Sequence, residues 1–327
     1  MLKKRLVSII LIIVLSFTSI GVYGDIDISA KASLLMDFSS GDIIYAMNEH
    51  EKLAPASITK IMTLLLCMEA LETEKIKLDD KVFISDHASK MVGTKVYLDA
   101  GETQTVENLI KAISVRSAND GAVALAEHIA GSEEAFVKLM NKRSKELGMK
   151  NTNFINATGL PHKNHYVSAY DVAKMSQELL KHKKIHDWLT IYMDEMKVGK
   201  KKDKIASLVN TNRLIKDYQG ATGIKTGSTN EAGFCLSASA KRGNLQLIAV
   251  VLGSETSKIR FEESMKLLDY GFANYDSVPI GRKGDVLGKV TVHKGNIEYI
   301  EAVLERDSYI LLPKGKGGNV EKEILLP

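Results

Sequence analysis

Ser57 and Lys60 stand three residues apart in LAPASITKIMT, at the head of an apolar run. Ser117 and Asn119 lie in VRSANDG, and Lys225, Thr226 and Gly227 lie in GIKTGS. Positions three apart on a helix share a face, so Lys60 falls beside Ser57. A serine hydroxyl is a weak nucleophile until a neighbouring base takes its proton. Lysine is such a base only when neutral, and burial and nearby positive charge both disfavour the ammonium. Lys225 is the expected neighbouring charge. This chemistry requires Lys225 and Ser117 to come within hydrogen-bonding reach of an uncharged Lys60 amine, with the Ser57 hydroxyl free to attack a carbonyl carbon.

The other residues fit the same reaction. The N-terminal end of the helix presents N–H groups near Ser57, and with an N–H from the strand after Gly227 these would form an oxyanion hole. Ser117, on a loop entering a helix, can relay a proton between the lysines and a leaving amine. Asn119 can bond both a substrate amide and Lys60. Lys225 and Thr226, on an edge strand, would grip a carboxylate, while Gly227 keeps the strand clear for an extended peptide. Each pattern alone also has a purely structural reading: Ser57 as an N-cap after Pro55, Ser117 and Asn119 as caps, Lys225–Gly227 as a strand-end turn. Their order and fitting local context favour chemistry, with Ser57 expected to be both cap and nucleophile.

The elements that must position these groups are legible from periodicity. Residues 33–48 read as strand, turn and strand about Ser39-Ser40-Gly41-Asp42, and residues 58–71 as a helix. A mostly helical block spans about 103–182. One helix starts near Thr105, one follows Ser117 and closes at Gly131, and one runs from Ser132 to Gly148. A fourth is opened by Ser168 and Asp171 in a capping-box pattern. From Ser207 the period changes to two, and GFCLSASAKRGNLQLIAVVLG reads as two strands about Lys241–Asn244. A closing helix, KIRFEESMKLLDYGFANY, follows. Strands, helices, antiparallel strands and a last helix describe an α+β domain whose sheet joins distant segments. Beyond about residue 277, Gly/Lys-rich turns separate short strands of a small all-β unit.

Bulk properties narrow the class. With 45% hydrophobic and 26% charged residues, the chain has an ordinary globular composition. Lys3, Lys4 and Arg5 precede an apolar stretch from Leu6 to Val22, and Val22-Tyr23-Gly24 offers small residues for cleavage, so residues 1–24 read as a secretory signal peptide. An uncleaved membrane anchor is the alternative. Removing three of the 44 basic residues leaves near balance with 40 acidic ones, which argues against nucleic acid as a partner. The best basic cluster, residues 199–204 (GKKKDK), reads as a solvated loop tip. Cys67 and Cys235 lie in apolar contexts and read as two buried free thiols, although an exported chain could pair them. His162 and His165 read as loop residues and His87 and His128 as lying on or beside helices, with no metal set among them.

With these three patterns in this order, the chain resembles the S11 serine peptidases, low-molecular-mass penicillin-binding proteins of the D-alanyl-D-alanine carboxypeptidase type. APASITKIMT, VRSANDGAVALAEHIAGSEEAFVKLMN, ELGMKNTNFINATGLP, GIKTGSTNEAGFCLSASA and LIAVVLG all carry the resemblance. It implies a serine β-lactamase/transpeptidase-like domain over residues 25–276, an antiparallel sheet flanked by helices with a helical subdomain, and a small all-β domain over 277–327. It further implies an acyl-enzyme on Ser57, with Lys60 as general base and Ser117 and Asn119 as the second motif. Lys225, Thr226 and Gly227 become the substrate-binding third motif, and Arg260 matches a family arginine that helps hold the terminal carboxylate. The implied partners are a peptidoglycan stem pentapeptide ending in D-Ala-D-Ala and, as covalent inhibitors, β-lactams; no metal or organic cofactor is implied.

Three departures from the family pattern stand out. Ala118 replaces a more usual glycine, Ser228 stands where many relatives carry histidine, and the chain stops at Pro327 in strand-like sequence without an amphipathic helix. Membrane contact is then expected only through the N-terminal segment. A serine β-lactamase on the same fold would need a glutamate after the second motif, and residues 150–160 contain no acidic residue. The motifs do not separate a carboxypeptidase from a transpeptidase. A catalytically dead peptidoglycan sensor is disfavoured by the intact Ser57 and Lys60.

Overall fold

A computed structural model describes residues 26–291, 298–305, 307–316 and 323–324. The expected signal peptide, residues 1–24, and the end of the chain at Pro327 lie outside the described residues. The first hairpin forms as expected, β1 (Ala32–Asp37) pairing with β2 (Ile43–Met47). Asp37 accepts from the backbone and hydroxyl of Ser40 to close its turn. A 3-10 turn, Ala56–Thr59, leads into α1 (Lys60–Glu72). Then come β3 (Lys81–Phe83), α2 (Asp86–Ser89), β4 (Thr103–Thr105) and α3 (Val106–Lys111). A π-turn, Ala112–Arg116, separates α3 from α4 (Asn119–Ala130), and α5 (Glu133–Glu146) and α6 (Ala169–Lys181) complete the helical group.

The helix boundaries follow local chemistry. Thr105, Ser132 and Ser168 each accept a backbone N–H of the helix they open. Gly131, at φ +85°, ends α4 in the left-handed region that glycine adopts without a Cβ penalty. Only half of the expected capping box forms at Ser168, because the Asp171 carboxylate accepts from Asn151 N and Thr152 Oγ1 instead.

Period-two structure begins earlier than Ser207. After α7 (His186–Leu189), β5 (Met193–Val198) pairs with β6 (Lys204–Val209), and the lysine-rich run is the tip of this hairpin. That tip is not wholly solvated: Lys202 Nζ lies 3.3 Å from Glu102 Oε1, so tertiary pairing with an acid a hundred residues away fixes it. The charged, half-exposed hairpin has too few apolar alternations to be recognised from sequence.

The remaining elements are α8 (Leu214–Asp217), β7 (Ala221–Thr229), β8 (Gly233–Arg242), β9 (Leu245–Ser254) and α9 (Ser257–Asn274). The central antiparallel sheet has the order β2-β1-β9-β8-β7, which leaves β7 at an edge. It is covered on both faces, so β9 is buried except at the half-buried Gly253, and its side chains alternate between two cores. Ile248, Val250 and Leu252 join the core with α1, α4 and α6, while Leu247, Ala249 and Val251 join that of α9. β10 (Tyr275–Gly281), β11 (Val286–Thr291), β12 (Tyr299–Val303) and β13 (Ser308–Pro313) follow as two antiparallel pairs, β10 with β13 and β11 with β12. Among the described residues no helix is long and apolar enough to cross a membrane.

Helix α9 lies so close to the sheet that a Cβ at Gly271 would stand 2.5 Å from Leu247 Cδ1 and 3.0 Å from Leu35 Cδ2. Gly271→Val is therefore expected to destabilise the domain by about 1–3 kcal/mol through overpacking. Thermal unfolding measures this, and an unchanged midpoint would contradict the close approach.

Candidate active site

Ser57 does not cap its helix. The 3-10 turn begins after Pro55 with no side-chain cap, and the Ser57 Oγ instead faces Lys60 Nζ at 2.9 Å. This corrects the expectation of a capping serine: the turn is held from outside by tertiary packing. A Cβ on Gly159 would lie 1.7 Å from the Ala56 carbonyl oxygen, and one on Gly227 would lie 3.0 Å from Ser57 N and 3.1 Å from Ile58 N. Gly227 thus permits the close approach of β7 to the turn that carries Ser57. The Ser57 N–H lies in the first turn, where no intrahelical acceptor exists.

Lys60 is fully buried, and its amine has three oxygen neighbours: Ser57 Oγ at 2.9 Å, Asn119 Oδ1 at 2.7 Å and the Thr158 carbonyl at 2.8 Å. Burial, and next the charge of Lys225, hold its pKa well below the ordinary lysine range, against a smaller opposing pull from Asp120. A neutral amine has two N–H donors and one lone pair. Asn119 Oδ1 and Thr158 O can only accept, so they take both N–H groups, and the lone pair is left for the one neighbour with a proton to give, the Ser57 hydroxyl.

Among the described residues Ser117 is not a hydrogen-bond partner of Lys60, which departs from the expected contact. Lys225 acts on Lys60 through its field, and Ser117 Oγ is buried without a hydrogen-bond partner. Ser117 ends the π-turn in the left-handed region, at φ +67°, with its N–H bonded to Ile113 O. Asn119 opens α4 without acting as its side-chain cap. Its Nδ2 donates to Val92 O at 2.6 Å and its N–H to Thr94 O at 2.8 Å. The buried Asp120 carboxylate, raised in pKa by burial, binds the N–H groups of Val96 and Leu98 and so braces the same loop.

On β7, Lys225 is buried and, among the described residues, donates only to its neighbour's carbonyl, Thr226 O, at 3.2 Å. Burial and then the Arg260 charge lower its pKa to about 7. Thr226 Oγ1 lies 2.7 Å from Thr211 Oγ1. Arg260 Nη1 donates to the carbonyls of Gly227 at 3.0 Å and Cys235 at 3.3 Å, its guanidinium stands over Phe261 and Phe234, and its Nε is buried without a partner. Burial lowers its pKa to about 10. Among the described residues none of Lys60, Lys225 and Arg260 forms an ion pair with a carboxylate. Together these buried cationic groups make a partly desolvated, positively charged environment that suits an anion.

Sequence reasoning missed the Thr158 carbonyl, Thr211 and Asp120. The first is a backbone group and leaves no compositional trace; Asp120 was in view only as the fourth letter of SAND. His165 lies in a loop, as expected, and its ring is buried, 3.1 Å from Thr59 Oγ1, with its pKa lowered to about 4 chiefly by burial. Both cysteines are free and buried, and burial raises the thiols to about 12 at Cys67 and about 11 at Cys235.

The D-alanyl-D-alanine carboxypeptidase family, peptidase S11, matches residues 20–256, and the C-terminal domain of penicillin-binding protein 5 matches residues 275–327. The D-alanyl-D-alanine carboxypeptidase DacF of Bacillus subtilis (strain 168) is 49% identical over 296 residues, spanning 90% of this chain and 76% of that protein. DacC of Escherichia coli (strain K12) is 36% identical over 305 residues, spanning 84% and 74%. Among solved structures, penicillin binding protein 5 from Haemophilus influenzae superposes with a TM-score of 0.80 at 35% identity, covering 90% of this chain and 86% of that one. Penicillin-Binding Protein D2 from Listeria monocytogenes, in the ampicillin-bound form, gives 0.67 at 31% identity, covering 75% and 98%. These likenesses bear out the expected fold class.

A carboxylate seated on Lys225 would favour the ammonium and draw its pKa upward, so binding above pH 7 is expected to take up a proton. Titration calorimetry of a short peptide with a free C-terminal carboxylate into Ser57→Ala, at pH 8 in two buffers of unlike ionisation heat, measures this. Uptake is expected to vanish in the double variant with Lys225→Met; identical heats in both buffers would show that the carboxylate does not sit on Lys225.

Proposed function

Because the chain belongs to the peptidase S11 family of D-alanyl-D-alanine carboxypeptidases, we propose that Ser57 is the nucleophile with which it removes the terminal D-alanine from a peptidoglycan stem pentapeptide. The chain is a serine-type carboxypeptidase of cell-wall metabolism. The observation that carries the assignment of roles is the three-way coordination of the Lys60 amine, which points its lone pair at the Ser57 hydroxyl.

In acylation, Lys60 takes the Ser57 proton as Oγ bonds to the carbonyl carbon of the penultimate D-alanine. Negative charge collects on the carbonyl oxygen, near the Ser57 N–H and an N–H of β7 beyond Gly227. As the C–N bond breaks, the proton passes from Lys60 to the leaving amine. The uncommitted Ser117 hydroxyl relays it, since it can accept one proton while donating another. Water then attacks the ester, Lys60 accepts its proton, and Ser57 is regenerated. Lys225, Thr226 and Arg260 hold the terminal carboxylate, Asn119 bonds the peptide amide, and the edge position of β7 lets the substrate lie along it.

Penicillins acylate the same serine and are not turned over quickly. The loop over Lys60, residues 150–160, contributes the Thr158 carbonyl and no carboxylate to activate a deacylating water. Residues 1–24 export the chain, which works outside the cytoplasmic membrane where its substrate lies.

Purified mature chain is expected to take up fluorescent penicillin covalently and to release D-alanine from a D-Ala-D-Ala pentapeptide, and Ser57→Ala to abolish both. Labelling without D-alanine release would favour a transpeptidase or sensor, and rapid penicillin turnover a β-lactamase.

A further inference from the structure

Residues 153–160 form neither helix nor strand apart from one isolated bridge, Asn153 with Tyr166. They nevertheless supply the carbonyl that completes the coordination of Lys60. A carbonyl in such a loop keeps its direction only if its own peptide is fixed locally. Ala157 is tied on both sides, its N–H to Glu133 Oε1 and its carbonyl to Thr63 Oγ1, but those bonds do not by themselves fix the next peptide, Thr158–Gly159.

One side chain closes that freedom. Asn156 Oδ1 accepts from Gly159 N at 2.7 Å, Thr158 Oγ1 at 3.0 Å, Thr158 N at 3.1 Å and Leu160 N at 3.2 Å. Its Nδ2 donates to Leu160 O at 3.0 Å. The shortest of these is decisive. In a trans peptide the N–H and C=O point in opposite directions, so anchoring the Gly159 N–H on Asn156 turns the Thr158 carbonyl away from it and toward Lys60.

We propose that Asn156 is a positioning residue for acylation: by fixing the Thr158–Gly159 peptide it commits one N–H of the neutral Lys60 amine to the Thr158 carbonyl and so aims the lone pair at Ser57. The inference rests on the reading of Ser57 and Lys60 as nucleophile and base. Without the Asn156 side chain the peptide turns, the amine gains a spare N–H, and it can donate to Ser57 Oγ, the wrong direction for deprotonation.

The test compares Asn156→Ala and Asn156→Asp for penicillin acylation and for peptide hydrolysis across pH, with folding checked by circular dichroism and thermal melting. Asn156→Ala is expected to lower kcat about ten- to a hundredfold with little change in KM, the scale of a small misplacement of a reacting group. Asn156→Asp keeps an acceptor for the Gly159 N–H but adds negative charge near Lys60, which favours the ammonium. It is therefore expected to recover most of the plateau rate while its acid limb moves to higher pH. Should the alanine variant not fold, the aspartate profile decides alone. A folded Asn156→Ala that acylates at the wild-type rate would overturn the inference, as would an aspartate variant whose acid limb does not move. With Ser57→Ala inactive in the same assays, those results sink the inference and leave the site intact; turnover by Ser57→Ala would sink both.

Discussion

Lys60 has no exposed surface and, among the described residues, no carboxylate bonded to it, and the positive field of Lys225 reaches it. An ammonium in that place would lose its hydration without gaining a counter-ion, a penalty of several kcal/mol. Burial and that field lower the pKa of Lys60 well below the ordinary lysine range, which favours the neutral amine, and a neutral amine has a direction that an ammonium lacks. Two acceptors with no proton to give, an amide oxygen and a backbone carbonyl, consume its N–H groups and fix that direction. Burial thus favours the neutral amine, and hydrogen bonding orients it.

The cationic residues form a graded series. Lys225 lowers the pKa of Lys60, Arg260 lowers that of Lys225, and each is itself desolvated. Such an arrangement is unfavourable to the empty protein and favourable to an anionic ligand, whose carboxylate supplies the charge the protein withholds. Stability and binding are therefore opposed at these three positions, as is common where catalytic groups need shifted ionisation.

The fold serves this site by bringing three chain segments to one point without intervening side chains. Gly227 lets β7 touch the turn that carries Ser57, and Gly159 lets the loop after α5 close over it. The π-turn before Ser117 displaces that hydroxyl from regular helix geometry, and the Asn119 and Asp120 side chains stitch the loop 92–98 to the start of α4. The long central strand β9, buried on both faces, gives these segments a rigid base.

Much of this was legible in the chain itself. Period, caps and turn residues located β1, β2, α1, α4, α5, α6, β8, β9 and α9, because each is decided by side chains close in sequence. The motif residues were recognisable because their types are chemically restrictive. The hairpin of β5 and β6 was not, since its strands are held by partners far along the chain, and neither was the burial of His165. Local chemistry determined which groups could react. Only tertiary packing decided that Ser57 would not cap its helix, and that the Lys60 amine would be held by a loop carbonyl 98 residues away. A pKa, a lone-pair direction and a close backbone approach all depend on neighbours distant in sequence, and no local pattern encodes them.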